Sequence, residues 1–132
     1  MNNKIKHLEF IQAIITRMNS NAFMIKGWTI TLVSALFALT ASNSNPAFIL
    51  IAFIPVLIFW GLDAYFLSQE RQYRDLYKDT TAKSENQINF SLNASGYNKG
   101  KNNWSACFRS KTILVFYFPL IILMVVIMYF LK

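Results

Sequence analysis

Residues 22–67 read AFMIKGWTITLVSALFALTASNSNPAFILIAFIPVLIFWGLDAYFL, and between Gly27 and Leu62 they carry no charged side chain. A helix crossing the ~30 Å hydrocarbon core of a bilayer needs about 20 mostly apolar residues, because it rises ~1.5 Å per residue. Two such runs lie here: residues 22–41, interrupted only by Lys26, and residues 47–67, interrupted only by Asp63. Backbone groups in lipid must satisfy one another, so both runs are expected to be helices. The Ser42-Asn43-Ser44-Asn45-Pro46 turn between them is too short for any arrangement but an antiparallel hairpin. Residues 112–131 form a third, uninterrupted apolar run.

Working outward, the whole chain of 132 residues is 55% hydrophobic and only 14% charged. Soluble domains carry about 25% charge, so an ordinary soluble enzyme is excluded. Single His and Cys residues, with no Gly-rich loop and no acidic pair beside them, offer no recognisable catalytic, cofactor-binding or metal-binding set. The expected fold is therefore an all-α integral membrane protein. Residues 1–21 are a cytosolic amphipathic helix, 22–67 the transmembrane hairpin, 68–111 a cytosolic extension of helix two followed by a polar loop, and 112–132 the third transmembrane helix.

Thirteen Lys and Arg outnumber six Asp and Glu, for a formal charge of +7. Twelve of the thirteen flank the same ends of the three spans; only Lys132 lies on the other side. Basic residues near span ends are retained in the cytoplasm, which orients the N-terminus in and the C-terminus out. A cleaved signal peptide at Leu39-Thr40-Ala41-Ser42 is the weaker alternative, because its leading segment would be unusually long. Topology and attraction to anionic headgroups account for the basic charge without a nucleic-acid ligand.

On the cytosolic side, Leu8, Ile11, Ile15, Met18, Ala22 and Ile25 repeat at helical spacing opposite Lys6, Glu9, Gln12, Thr16, Arg17, Asn19 and Ser20. Leu62, Phe66, Gln69, Tyr73 and Leu76 repeat similarly, with Glu70/Arg74 and Arg71/Asp75 as expected ion pairs. The two stripes predict a hairpin that extends below the membrane, with Tyr73, Leu76 and Tyr77 as a cytosolic interaction surface. Residues 80–111, rich in Asn, Ser, Lys and Gly, are expected to lack regular structure apart from one short strand at 87–93. Asn89, Asn93 and Asn103 head chance glycosylation triplets on the cytosolic side. Cys107 is expected to be an unmodified thiol; acylation or pairing between chains is the alternative.

Lys26 lies 15 residues before Ala41 and Asp63 lies 16 after Ala47. Both therefore sit roughly 23 Å from the shared turn, and a Lys26–Asp63 pair is expected. Two roles are open: a structural lock, or a proton- or ion-responsive carboxylate between protomers. Gly27, Thr31, Ser34, Ala35, Ala38 and Ala41 line one face of span one, and Ala52, Gly61 and Ala64 lie on span two. Small residues let helices approach closely in lipid, so this face is expected to pack the hairpin or to join neighbouring chains. Pro55 and Pro119 favour bends in spans two and three.

The segments KHLEFIQAIITRM, NAFMIKGWTITLVSALFAL, FWGLDAYFLSQERQYRDLY and FSLN, with the later TILVFYF, resemble a family of small uncharacterised bacterial inner-membrane proteins. The resemblance is most specific at Lys26-Gly27-Trp28 and from Phe59 to Arg71. It implies an intact bacterial inner-membrane protein with a cytosolic central region and brings no catalytic residue or substrate. Three function classes follow: an oligomeric, non-enzymatic membrane effector or sensor, for example in stress or phage defence; a scaffold recruiting a cytosolic protein partner; and, third, a small oligomeric channel or transporter using Asp63.

Overall fold

The computed structural model describes residues 2–43, 45 and 47–130. Among these residues four α-helices follow in order: α1 (Asn2–Asn43), α2 (Ala47–Thr81), α3 (Trp104–Phe108) and α4 (Lys111–Phe130). Three of them, α1, α2 and α4, are long and apolar enough to cross a membrane. Ser44 and Pro46 of the expected turn, and Leu131 and Lys132 beyond α4, lie outside the described residues. Within the turn, the Asn45 side chain accepts a hydrogen bond from the Ala47 amide at 3.1 Å, which satisfies one of the orphan donors that start α2.

The amphipathic helix expected at 1–21 and the first span are one helix, because α1 runs unbroken for 42 residues. Its inward face is the stripe read from the sequence: Ile11, Ile15 and Ile25 are buried, with Leu8, Met18 and Ala22 half-buried. At ~1.5 Å per residue α1 is roughly 60 Å long and α2 roughly 50 Å, so both project well beyond a ~30 Å core.

Two apolar clusters hold the hairpin. In the span region Val33 of α1, Ile49, Ala52 and Val56 of α2, and Ile113, Tyr117, Leu120 and Met124 of α4 form one core. Beyond the spans Ile11, Ile15 and Leu76 pack with Ala94, flanked by Tyr73, Tyr77 and Tyr97. Both α2 and α4 continue through their internal prolines, Pro55 and Pro119. Thr29, Thr31 and Thr40 donate their hydroxyls to the carbonyls of Ile25, Gly27 and Leu36, which satisfies polar groups that lipid cannot.

Four expectations need correction. Gly27, Thr31, Ser34, Ala35, Ala38 and Ala41 are all exposed, so they do not pack the hairpin. The bulkier neighbouring face, Ile25, Thr29, Val33, Leu36, Phe37 and Thr40, turns inward instead. The buried line of α2 from Asp63 onward is Asp63, Ala64, Ser68, Gln72, Leu76 and Thr80; Leu62 is exposed, and the polar segment that follows α2 packs back on it at Tyr73 and Leu76. That segment contains no strand among the described residues: 88–94 is irregular, and Phe90 takes φ 55°, which breaks strand alternation where no partner strand is available. Finally, Glu70 pairs with Arg74 at 2.9 Å, but Arg71 turns away from Asp75 to the Lys101 carbonyl at 2.7 Å.

Gly61 has a use different from the expected helix packing. Its carbonyl accepts the Trp104 indole N–H at 2.9 Å, and a Cβ built on it would lie 3.6 Å from the Trp104 ring. Gly27 faces open space, with nothing within 4 Å of such a Cβ. Gly61→Leu should therefore dislodge Trp104 and destabilise the protein by ~1–3 kcal/mol, whereas Gly27→Leu should be near neutral. Thermal melts of the two variants in detergent check the contrast; equal melting would disprove the docking role of Gly61.

Candidate functional site

The two intramembrane charges meet. Lys26 Nζ lies 2.5 Å from Asp63 Oδ2, with the Asp63 side chain 1% exposed and the Lys26 side chain 24% exposed. Helical geometry places them level on facing helices, and α4 closes the third side. Tyr117 of α4 is fully buried, its hydroxyl beside Asp63 and Thr29 and donating to the Phe59 carbonyl at 3.4 Å. The Lys26 ammonium also stands 5.9 Å from the centre of the Phe116 ring, a distance at which the ring face attracts a cation.

An aromatic stack seals the same level. Trp60 lies parallel to Tyr117 (5.5 Å, 9°) and to Phe108 (4.7 Å, 8°), and its indole N–H donates to the Phe108 carbonyl at 3.1 Å. The ion pair is thus tied through Trp60 to α3 and to the segment that precedes α4.

Below this level, residues 82–103 fold back as a strap along α1 and α2, with short 3₁₀ turns at Glu85–Gln87, Ser95–Tyr97 and Gly100–Asn102. The region expected to be irregular is thereby given a defined path. Glu85 accepts the amides of Asn3 and Lys4 at 2.9 and 3.3 Å, stabilising the positive start of α1. His7 and Tyr73 donate to the strap carbonyls of Ser91 and Leu92, each at 2.8 Å. Asn102 is the hub: its amide donates to Asp75 at 2.6 Å and to the Tyr97 carbonyl at 3.0 Å. Its own carbonyl accepts the Ser68 hydroxyl, which in turn accepts from Gln72 at 2.9 Å. Tyr97 donates to Asp79 at 2.5 Å.

Of Tyr73, Leu76 and Tyr77, the expected cytosolic interaction surface, Leu76 is buried with Ile11, Ile15 and the strap's Ala94, and both tyrosines pack against that cluster. Cys107 is buried against the Lys101 carbonyl and Arg71, and burial pushes its thiol up from the ordinary range despite the guanidinium, so the thiolate needed for acylation is disfavoured. Tyr117, Trp60, Asn102, Ser68 and Gln72 went unassigned in the sequence. The spacing of Ser68, Gln72, Leu76 and Thr80 four apart was the available signal for the polar stripe; nothing local marks Asn102. Among the described residues no three His, Cys, Asp or Glu side chains gather in a metal-binding group.

No protein family, curated protein or solved structure matches the chain.

Lys26→Met leaves a buried carboxylate without its cation, whereas Asp63→Asn leaves an ammonium that can extend toward water. The first should therefore destabilise more than the second, and the double variant should recover part of the loss, with a coupling of ~1–3 kcal/mol. Additive losses in detergent melts would show that the pair does not interact. A second prediction concerns pH. The bond to Asp79, with burial and the Asp79 and Asp75 charges, pushes the Tyr97 hydroxyl from 10.0 up to about 12. Its contribution to closure is complete below the ordinary tyrosine value and is lost as pH rises through the folded one. Ultraviolet titration of wild type against Tyr97→Phe should show one tyrosinate step missing near the upper value; a missing step at the ordinary value would mean the bond is not made.

Proposed function

We infer that this chain is a non-enzymatic membrane sensor or effector whose strap is the responsive element. The carrying observation is the nature of the contact between strap and hairpin. His7, Ser68, Arg71, Tyr73, Asp75 and Asp79 hold it through polar bonds, while Ala94 and Tyr97 supply its share of the apolar cluster. Each such bond contributes only ~0.5–1.5 kcal/mol net, and segments held this way belong to the low-stability end of a fold. The spans, by contrast, meet in a continuous apolar core. A signal that displaces the strap frees Asn102, and with it Ser68, five residues along α2 from Asp63, and Gln72 beyond it, so the change is passed along α2 toward the ion pair.

The reading places the protein in a bacterial inner membrane, N-terminus and strap in the cytoplasm and C-terminus outside. Its exposed small-residue face at Gly27, Thr31, Ser34, Ala35 and Ala38 serves assembly of copies, through which the effect on the membrane is exerted. Recruitment of a cytosolic partner at Tyr73, Leu76 and Tyr77 requires the same displacement first, since the strap occupies that surface.

Asn102→Ala removes the side-chain bonds to Asp75 and to the Tyr97 carbonyl, leaves the main-chain carbonyl that Ser68 meets, and does not touch the spans. On induced expression it should admit a membrane-impermeant dye at a level several-fold above wild type, and hydrogen exchange of residues 88–103 should accelerate relative to α1 and α2. Faster exchange with unchanged dye entry would sink the effector reading while leaving the strap's mobility intact.

A further inference from the structure

We propose that the groove at the start of α4, between Arg109 and Pro119, binds an anionic phospholipid, the charged headgroup on Arg109 and Lys111 and an acyl chain along Leu114, Val115, Phe118 and Pro119. These six residues line one open groove of about 580 Å³. The proposal stands on the membrane-spanning character of α4 and is independent of any role for the strap.

Position comes first. The helix α4 is 20 residues long, about the length that spans the hydrocarbon core, so its first residue lies where that core meets the headgroups. Arg109 and Lys111 stand at this border, and the apolar lining runs from them toward the membrane interior. Val115 and Phe118 are 68% and 57% exposed, open to a chain lying alongside.

Charge comes second. No Asp or Glu follows Glu85 in the sequence, and among the described residues neither Arg109 nor Lys111 has a carboxylate partner. Arg109 makes only long contacts, 3.3 and 3.4 Å, to the Ser105 carbonyl and hydroxyl. The first turn of α4 carries no acidic residue, and the Ser110 hydroxyl before it makes no hydrogen bond. Two cations at the positive end of a helix repel that end electrostatically. The nearest intramembrane carboxylate, Asp63, is already held by Lys26. The anion that completes this corner must come from outside the chain, and at the headgroup level an anionic lipid supplies it together with an apolar tail that fits the lining. Basic pockets at the cytoplasmic ends of spans are a known basis of such recognition.

The groove is also rigidly held. Trp104 is anchored to Gly61, and Phe108 is stacked on Trp60, so the turn carrying Arg109 is fixed to α2.

The full chain, reconstituted in nanodiscs of equal phosphatidylglycerol and phosphatidylethanolamine and then stripped stepwise with detergent, tests this by native mass spectrometry of retained lipid. Wild type should retain phosphatidylglycerol preferentially. Arg109→Gln with Lys111→Gln should retain about thirtyfold less, the loss expected for two basic residues at the surface. Arg109→Lys with Lys111→Arg should behave as wild type, and so should Lys99→Gln with Lys101→Gln, which lowers the basic charge equally but away from the groove. Retention without headgroup preference in wild type overturns the proposal. So does full retention in the Arg109/Lys111 Gln variant, an equal loss in the Lys99/Lys101 variant (diffuse charge), or a loss in the charge-preserving variant (a structural role).

Discussion

The Lys26–Asp63 pair is the constraint around which the rest of the molecule is arranged. Asp63 is taken almost wholly out of contact with solvent, and an ionised carboxylate in that setting costs several kcal/mol unless it is paired. The pair can form only if α1 and α2 are antiparallel, in one register, and close at this depth. A one-residue slip of α2 would rotate Asp63 by about 100° away from α1 and leave both charges facing lipid. Apolar packing alone is a weaker guide, because lipid tails solvate Leu, Ile and Val as well as another helix does. The ion pair therefore specifies register, and the apolar contacts of Val33, Ile49, Ala52 and Val56 fill in around it.

The same constraint explains why α4 binds where it does. Its lipid-facing residues are bulky on every side, so nothing in their apolarity selects one orientation. The exception is Tyr117, whose hydroxyl has to find polar company in the bilayer. It finds Asp63, Thr29 and the Phe59 carbonyl, and Trp60 stacks on its ring. The buried Tyr117 hydroxyl, in a span whose other hydroxyls lie toward its ends at Thr112 and Tyr129, thus fixes the rotation of α4, and with it which residues face lipid. That rotation leaves Val115 and Phe118 outward, on the membrane side of Arg109 and Lys111.

How much of this could be read from the sequence differs by element. The three spans, the hairpin and the facing of Lys26 and Asp63 follow from length, charge gaps and depth counting, which depend only on helix rise and bilayer thickness. The inward stripe of α1 is equally legible, because Ile11, Ile15 and Ile25 contrast with charged neighbours. Within the span that contrast disappears. Gly27, Ser34 and Ala35 on one face and Thr29, Val33 and Thr40 on the other are all acceptable to lipid, and size alone pointed to the wrong face. The strap was illegible for a different reason: its order comes from partners distant in sequence. Asn102 meets Asp75 and Ser68, Ser91 meets His7, and Glu85 meets the start of α1. No periodicity within 82–103 announces such bonds, so low complexity looked like lack of structure.

The contrast between spans and strap bears on how energy is distributed. Opening the strap exposes its polar bonds to water, which replaces them at little net cost; only the contacts of Ala94 and Tyr97 with Ile11, Ile15 and Leu76 are lost outright. Separating the spans breaks a charge pair and leaves Asp63 without its partner, a far larger penalty. The two processes are consequently separable in free energy, and the strap can open while the hairpin stays intact. They are linked in structure, because the Asn102 carbonyl accepts from Ser68, five residues along α2 from Asp63, and the Trp60–Phe108 stack holds α3, which follows the strap, at the ion-pair level. A weakly held element outside the apolar core is thus joined through side-chain contacts to the strongly held ion pair, which is the arrangement that the proposed sensing role draws on.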